Sequence, residues 1–114
     1  MKIIDEPLLD EFRRKVLCEW CERPAVLVPH HIYARGMGGG GRLDIRENLI
    51  SLCCICHHFA HMGAIQRLSL LAIAGKRCGK TCEEAKDLIE RLLHAKKGII
   101  PREQEGSYEE ENRP

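Results

Sequence analysis

The stretch ENLISLCCICHHFAH, residues 47–61, carries two cysteines separated by two residues, Cys53 and Cys56, with a histidine directly after the second. Upstream, CEWC at 18–21 repeats the spacing with Cys18 and Cys21. A two-residue spacer lets the backbone turn so that both sulfurs face one point. Two such pairs can set four thiolates at the corners of a tetrahedron around zinc. Cys18, Cys21, Cys53 and Cys56 are therefore the expected ligands of a structural Zn2+. A full ligand set leaves that ion no open position for chemistry. Cys54 in place of Cys53 would leave a one-residue spacer to Cys56, which is poorer geometry, so Cys54 reads as a packed or free thiol.

Four of the six histidines fall in two groups, His30-His31 and His57…His61. With a helix starting at the second cysteine pair, His57 and His61 stand at i and i+4 on one face, a spacing that suits two imidazoles on one metal. Adjacent residues of a strand point to opposite sides, so His30 and His31 are expected to do different things. His58 reads as solvent-exposed. His94, near the C-terminus of the last helix, reads as a cation favoured by the helix dipole.

The chain has 114 residues, enough for one domain. Only 4% of them are aromatic, so the core is small and a metal would supply stability that packing does not. Seven cysteines is an odd number, awkward for a disulfide scaffold. No apolar run approaches the ~20 residues of a membrane span. The start, MKIIDEPLLDEF, lacks the apolar segment of a signal peptide. A reducing, cytoplasmic setting is thus expected, where cysteines read as metal ligands. A hydrophobic content of 44% with a net charge of +1 excludes disorder of the whole chain. The charge is uneven: residues 61–98 hold eight basic and four acidic side chains, whereas 99–114 hold two basic and five acidic. A moderately basic body allows nucleic-acid binding, but taken alone the charges read more simply as solvated helix faces.

Periodicity predicts a first helix over 7–17, with Leu8, Leu9, Phe12, Val16 and Leu17 at helical spacing. AVLVPHHIY at 25–33 and ENLISLC at 47–53 read as strands, the first placed at an edge by Pro29. GMGGGG between them is a loop. Residues 57–75 are helical in pattern, with Gly63 as a break and Gly75 as the C-cap. Thr81 and Glu84 form a capping-box signal for a helix over 83–97. The class is small α+β: one domain over 1–100, with its core at about 18–65 and a helical extension at about 66–98, then a disordered acidic tail over 101–114.

The string CEWC…HHI…NLISLCCICHHFAH resembles the HNH endonucleases that carry a four-cysteine zinc site. The likeness covers residues 18–61. The histidine, asparagine and histidine of the family name fall on His31, Asn48 and His57, and the glycine-rich ARGMGGGG between the first two is also typical. His30, His57 and His61 resemble the all-histidine metal set of the colicin DNases, where many other members have an aspartate at the position of His30. The resemblance implies a ββα-metal core, a two-stranded hairpin and a helix with a divalent ion between them. It implies hydrolysis of DNA, taken as double-stranded, to 5′-phosphate and 3′-hydroxyl ends. His31 would be the general base, and Asn48 would hydrogen-bond backbone and hold His31 in place. Three imidazoles favour Mn2+, Ni2+, Co2+ or Zn2+ in affinity, while cellular supply also admits Mg2+. Arg35 is the nearest cation after the base and a candidate phosphate contact. A monomer would nick one strand; cutting both would take a dimer or two events.

Two other readings share these residues: a zinc-ribbon DNA-binding module that does not cut, and a zinc-stabilised adaptor for protein. Residues 68–93 could form a helix-turn-helix with Lys76, Arg77 and Lys80 on phosphates, or a helical hairpin that covers the core. Cys78 and Cys82 would make a second metal pair only with histidine partners that are not evident, and read as packed or free thiols.

Overall fold

Asp5 opens the chain's first helix by accepting the Leu8 N–H at 3.1 Å, with Pro7 in the first turn, where its missing donor costs nothing. The computed structural model describes residues 3–33 and 42–94. In it α1 runs over Glu6–Arg13 and buries Leu8, Leu9 and Phe12. The expected continuation to residue 17 does not form. Val16 and Leu17 are exposed, Leu17 pairs with Pro24 in an antiparallel bridge, and Ala25 N–H donates to Val16 O. Closing that hairpin around CEWC requires extended backbone where the helix would have gone on.

The two strands are shorter than expected. β1 is Val28–His31 and β2 is Leu49–Leu52, paired antiparallel with Pro29 opposite Ser51, His30 opposite Ile50 and His31 opposite Leu49. A 3-10 turn at Arg46–Asn48 takes up the start of the expected second strand, and Asn48 O accepts the Ile32 N–H at 2.9 Å. Every residue of β2 is buried, because the sheet is covered on both faces. Leu49 packs with Leu8, Leu9 and Phe12, whereas Ile50 and Leu52 join the main core with Leu27, Ile32, Leu70, Leu71 and Ile89. Ser51 fits this apolar setting because its hydroxyl donates to Phe12 O at 2.7 Å.

α2, Cys54–His61, begins three residues earlier than the pattern indicated, with Cys53 as its extended N-cap and His57 N–H on Cys53 O. Gly63, at φ +84°, breaks the helical run as expected. α3 follows over Arg67–Arg77 and α4 over Cys82–Leu93. The capping box forms: Glu84 N–H donates to Thr81 Oγ1 at 3.0 Å, and Thr81 N–H to Glu84 Oε1 at 2.9 Å. Gly75 is not a cap. It sits inside α3, where a Cβ would come 3.2 Å from Lys80 O and Thr81 O. Its role is to let the chain entering α4 approach closely. The left-handed residue after α3 is Gly79, at φ +75°.

Ala85, Ile89 and Leu93 of α4 meet Leu70, Leu71 and Ala74 of α3 in the main core, so the pair forms a covering helical hairpin. The described residues thus hold four α-helices and one two-stranded sheet, the small α+β class read from the sequence. The glycine-rich loop at 34–41 and the tail at 101–114 lie outside the described residues. Among the described residues no helix is long and apolar enough to cross a membrane.

Candidate metal centres and the histidine cleft

The CEWC segment is a tight knuckle. Trp20 and Cys21 backbone N–H groups point at Cys18 Sγ, at 3.4 and 3.5 Å, and Glu22 takes a left-handed φ of 63° so that its N–H reaches Cys18 O. β2 delivers Cys53 and the first turn of α2 delivers Cys56. The four Sγ atoms lie within 4.8 Å of one another, with Cys21 and Cys53 at 3.9 Å. A tetrahedron with Zn–S bonds of about 2.3 Å has edges of roughly 3.8 Å, so the donor set fits a metal ion such as zinc. The thiols pull in opposite directions. Burial pushes Cys18 up, but the N–H groups of the knuckle outweigh it and bring the thiol down to about 6, while burial and the neighbouring sulfurs raise Cys56. A cation among the four sulfurs would favour the thiolate form at each of them. Cys54 points away and is exposed, and Cys82 Sγ lies against Leu68 O at 3.6 Å.

His30, on β1, meets His57 and His61, one turn apart on α2. Their ring nitrogens lie within 4.8 Å of one another, and the Nε2 atoms of His57 and His61 are 3.0 Å apart. Burial, then repulsion from His57, His61 and His31, pushes His30 down to about 4, and burial followed by His61 lowers His57. Both imidazoles are neutral at physiological pH and present lone pairs. The cluster fits a divalent ion with three nitrogen ligands.

His31 turns the other way, as strand alternation requires. Its Nε2 lies 2.8 Å from Oδ1 of Asp44, a carboxylate with no solvent exposure. Asp44 also accepts from Arg42 Nε and Nη2, at 3.0 and 2.8 Å, and from Asp5 N–H at 2.8 Å. Burial alone would raise its pKa, but the hydrogen bonds from His31, Arg42 and Asp5 hold it down to about 2. An ionised carboxylate can only accept. His31 Nε2 therefore carries a proton, and in the neutral ring the lone pair is on Nδ1. Asn48 is fully buried. Its Oδ1 accepts Tyr33 N–H at 2.8 Å and its Nδ2 donates to Leu43 O at 3.0 Å and Tyr33 O at 3.2 Å, tying both ends of the glycine-rich loop.

Arg35 lies outside the described residues. Two of the cations considered for phosphate are already engaged. Arg77 donates to Glu19 Oε2, Arg46 O and Leu49 O, each at 2.6 Å, and Lys80 pairs with Glu47 at 2.8 Å. Residues that pattern reading missed include Asp44, Glu19 and Arg67. Asp44 carried one usable signal, a lone acid between two apolar residues and the first carboxylate after His31. Compared with known proteins, the chain matches no family model, no curated protein and no solved structure.

Proposed function

We propose that this chain is a metal-dependent HNH DNA endonuclease with a ββα-metal core and a cysteine-bound structural zinc. The observation that carries the reading is the division of labour between adjacent histidines: His30 joins His57 and His61, whereas His31 is paired with Asp44. A metal ligand and a base are needed side by side but on different atoms, and this arrangement supplies both.

His30, His57 and His61 would hold a divalent ion, Mn2+, Mg2+, Ni2+, Co2+ or Zn2+, which supplies charge neutralisation at the phosphate and at the leaving oxygen. With no carboxylate among these three ligands, the site keeps the full positive charge of its ion toward an anionic substrate. His31 Nδ1 takes a proton from the attacking water, the new bond forms to phosphorus, the bond to the 3′-oxygen breaks, and that oxygen takes a proton from solvent water to leave as the hydroxyl. Asp44 fixes the ring and stabilises the cationic imidazole that results. Asn48 keeps the backbone at Tyr33 and Leu43 from drifting, and with it the position of His31.

Zinc-loaded protein with supercoiled plasmid, without added metal and with Mn2+, Mg2+, Ni2+, Co2+ or extra Zn2+ in turn, tests the reading. Metal-dependent nicked or linear product supports it, and no product with any of the five metals overturns it. Among the other readings, the protein adaptor has one observation in its favour, an apolar groove of about 820 Å3 beside the cysteine cluster, walled by Trp20, Val26, Ile55 and Phe59. Uncut DNA that stays bound would favour the zinc-ribbon module instead, and absence of DNA binding at low salt the adaptor.

A further inference from the structure

We infer that Arg67 is the phosphate-binding residue of the histidine cleft. The inference rests on the nuclease reading and adds where the substrate backbone lies.

The cleft, of about 450 Å3, is lined by His30, His31, His61, Gln66 and Arg67 among others. A shallower depression of about 300 Å3 lies beyond, with Tyr33, Gln66, Arg67 and Lys86 in its wall. Gln66 and Arg67 belong to both, so Arg67 stands at the junction. Its guanidinium lies over the ring of Tyr33, 4.6 Å from the centroid. That ring is itself buried, which makes it a fixed support. Stacking occupies the face of a guanidinium and leaves its N–H edge for an acceptor, the arrangement that grips a phosphodiester bidentately. Among the described residues Arg67 has no carboxylate partner, in contrast to Arg42 on Asp44, Arg46 on Glu11 and Arg77 on Glu19. The first turn of α3 carries no acid to repel an anion, and the acid of the second depression, Glu90, is paired with Lys86 at 3.1 Å. Arg77 also lies over an aromatic ring, that of Phe12, but it is spent on Glu19 and two carbonyls, whereas Arg67 on Tyr33 has no carboxylate partner among the described residues and borders the histidine cleft.

The test measures binding of a short fluorescein-labelled DNA duplex across a salt series, without added divalent ion. Arg67→Ala should bind about tenfold more weakly and lower the salt slope by about 1. Arg67→Lys should recover the slope but not all of the affinity, since it keeps the charge and loses the fork. Arg14→Ala removes the same charge from the exposed end of α1 and should change little. Plasmid nicking is measured separately. If wild type nicks and Arg67→Ala binds as Arg14→Ala does, the Arg67 site is wrong and the nuclease reading stands. If binding depends on Arg67 and wild type cuts nothing, the phosphate site stands and the nuclease reading falls. Wild type that does not bind the duplex at low salt overturns both.

Discussion

Asp44 Oδ1 and His31 Nε2 meet at 2.8 Å across thirteen positions of chain, and the carboxylate is shut off from solvent. The pair assigns the two nitrogens of one ring. Nε2 donates inward, and Nδ1 is left to receive a proton.

Asp44→Asn should therefore act on both stability and the ring. With its pKa lowered from 3.8 to about 2, Asp44 contributes about 2 kcal/mol above pH ~4, a contribution lost as the pH falls through ~2. Urea unfolding of wild type and variant at matched pH should give the full gap at neutrality and a closing gap below pH ~4. Nitrogen NMR of His31 should show the Nε2–H tautomer in wild type and a mixture in Asp44→Asn. A single unchanged tautomer would remove Asp44 from the role of orienting the ring.

The four histidines should separate into two classes. His31→Ala should still bind manganese by calorimetry while nicking falls by roughly two to four orders of magnitude. His30→Ala, His57→Ala and His61→Ala should bind the ion more weakly and regain part of their activity at high manganese. Loss of the ion in His31→Ala with retention in His30→Ala would mean the two neighbours have exchanged roles.

Cys18→Ser and Cys56→Ser should each lose bound zinc and the cooperative thermal transition, because the ion substitutes for core in a chain with few aromatics. Zinc content by mass spectrometry and melting by circular dichroism check both together. A wild-type melting temperature in either variant would show that the cysteine cluster does not hold the fold.

Arg77→Ala should destabilise without weakening DNA binding. The guanidinium joins α3 to Glu19 of the knuckle and to the carbonyls of Arg46, before β2, and Leu49, its first residue, and lies over Phe12 at 4.9 Å. Removing it strands the partly buried Glu19 carboxylate, at a cost of about 3 kcal/mol. Weaker binding with unchanged stability would restore Arg77 to the phosphate role of a helix-turn-helix.

Features set by neighbours in sequence were legible before the fold was known. The cysteine spacing, the capping box at Thr81 and Glu84, the break at Gly63 and the opposite directions of His30 and His31 all follow from local geometry. Features that depend on what packs against a residue were not. Val16 and Leu17 sit at helical spacing but serve the knuckle hairpin instead. Gly75 looked like a cap because it ends an apolar run, and only the closeness of Lys80 and Thr81 carbonyls reveals why a side chain is excluded. Arg77 looked like a surface cation because its carboxylate lies 58 positions away. Asp44 belongs to no periodic pattern, and its partner His31 lies thirteen positions away in the chain.

α2 has a consequence for how such a protein would be regulated. Eight residues of helix carry Cys56 toward one ligand cluster and, in the very next position, His57 toward the other. A rod that short and stiff cannot answer to two ions separately. Stripping zinc from the thiolates would let the rod rotate or fray, and the apparent affinity of the imidazoles would drop although none of them had changed. On the proposed reading, titration of the imidazole site would report the occupancy of the thiolate site, and the two would act as an AND gate in which scarcity of one metal silences a centre that prefers another.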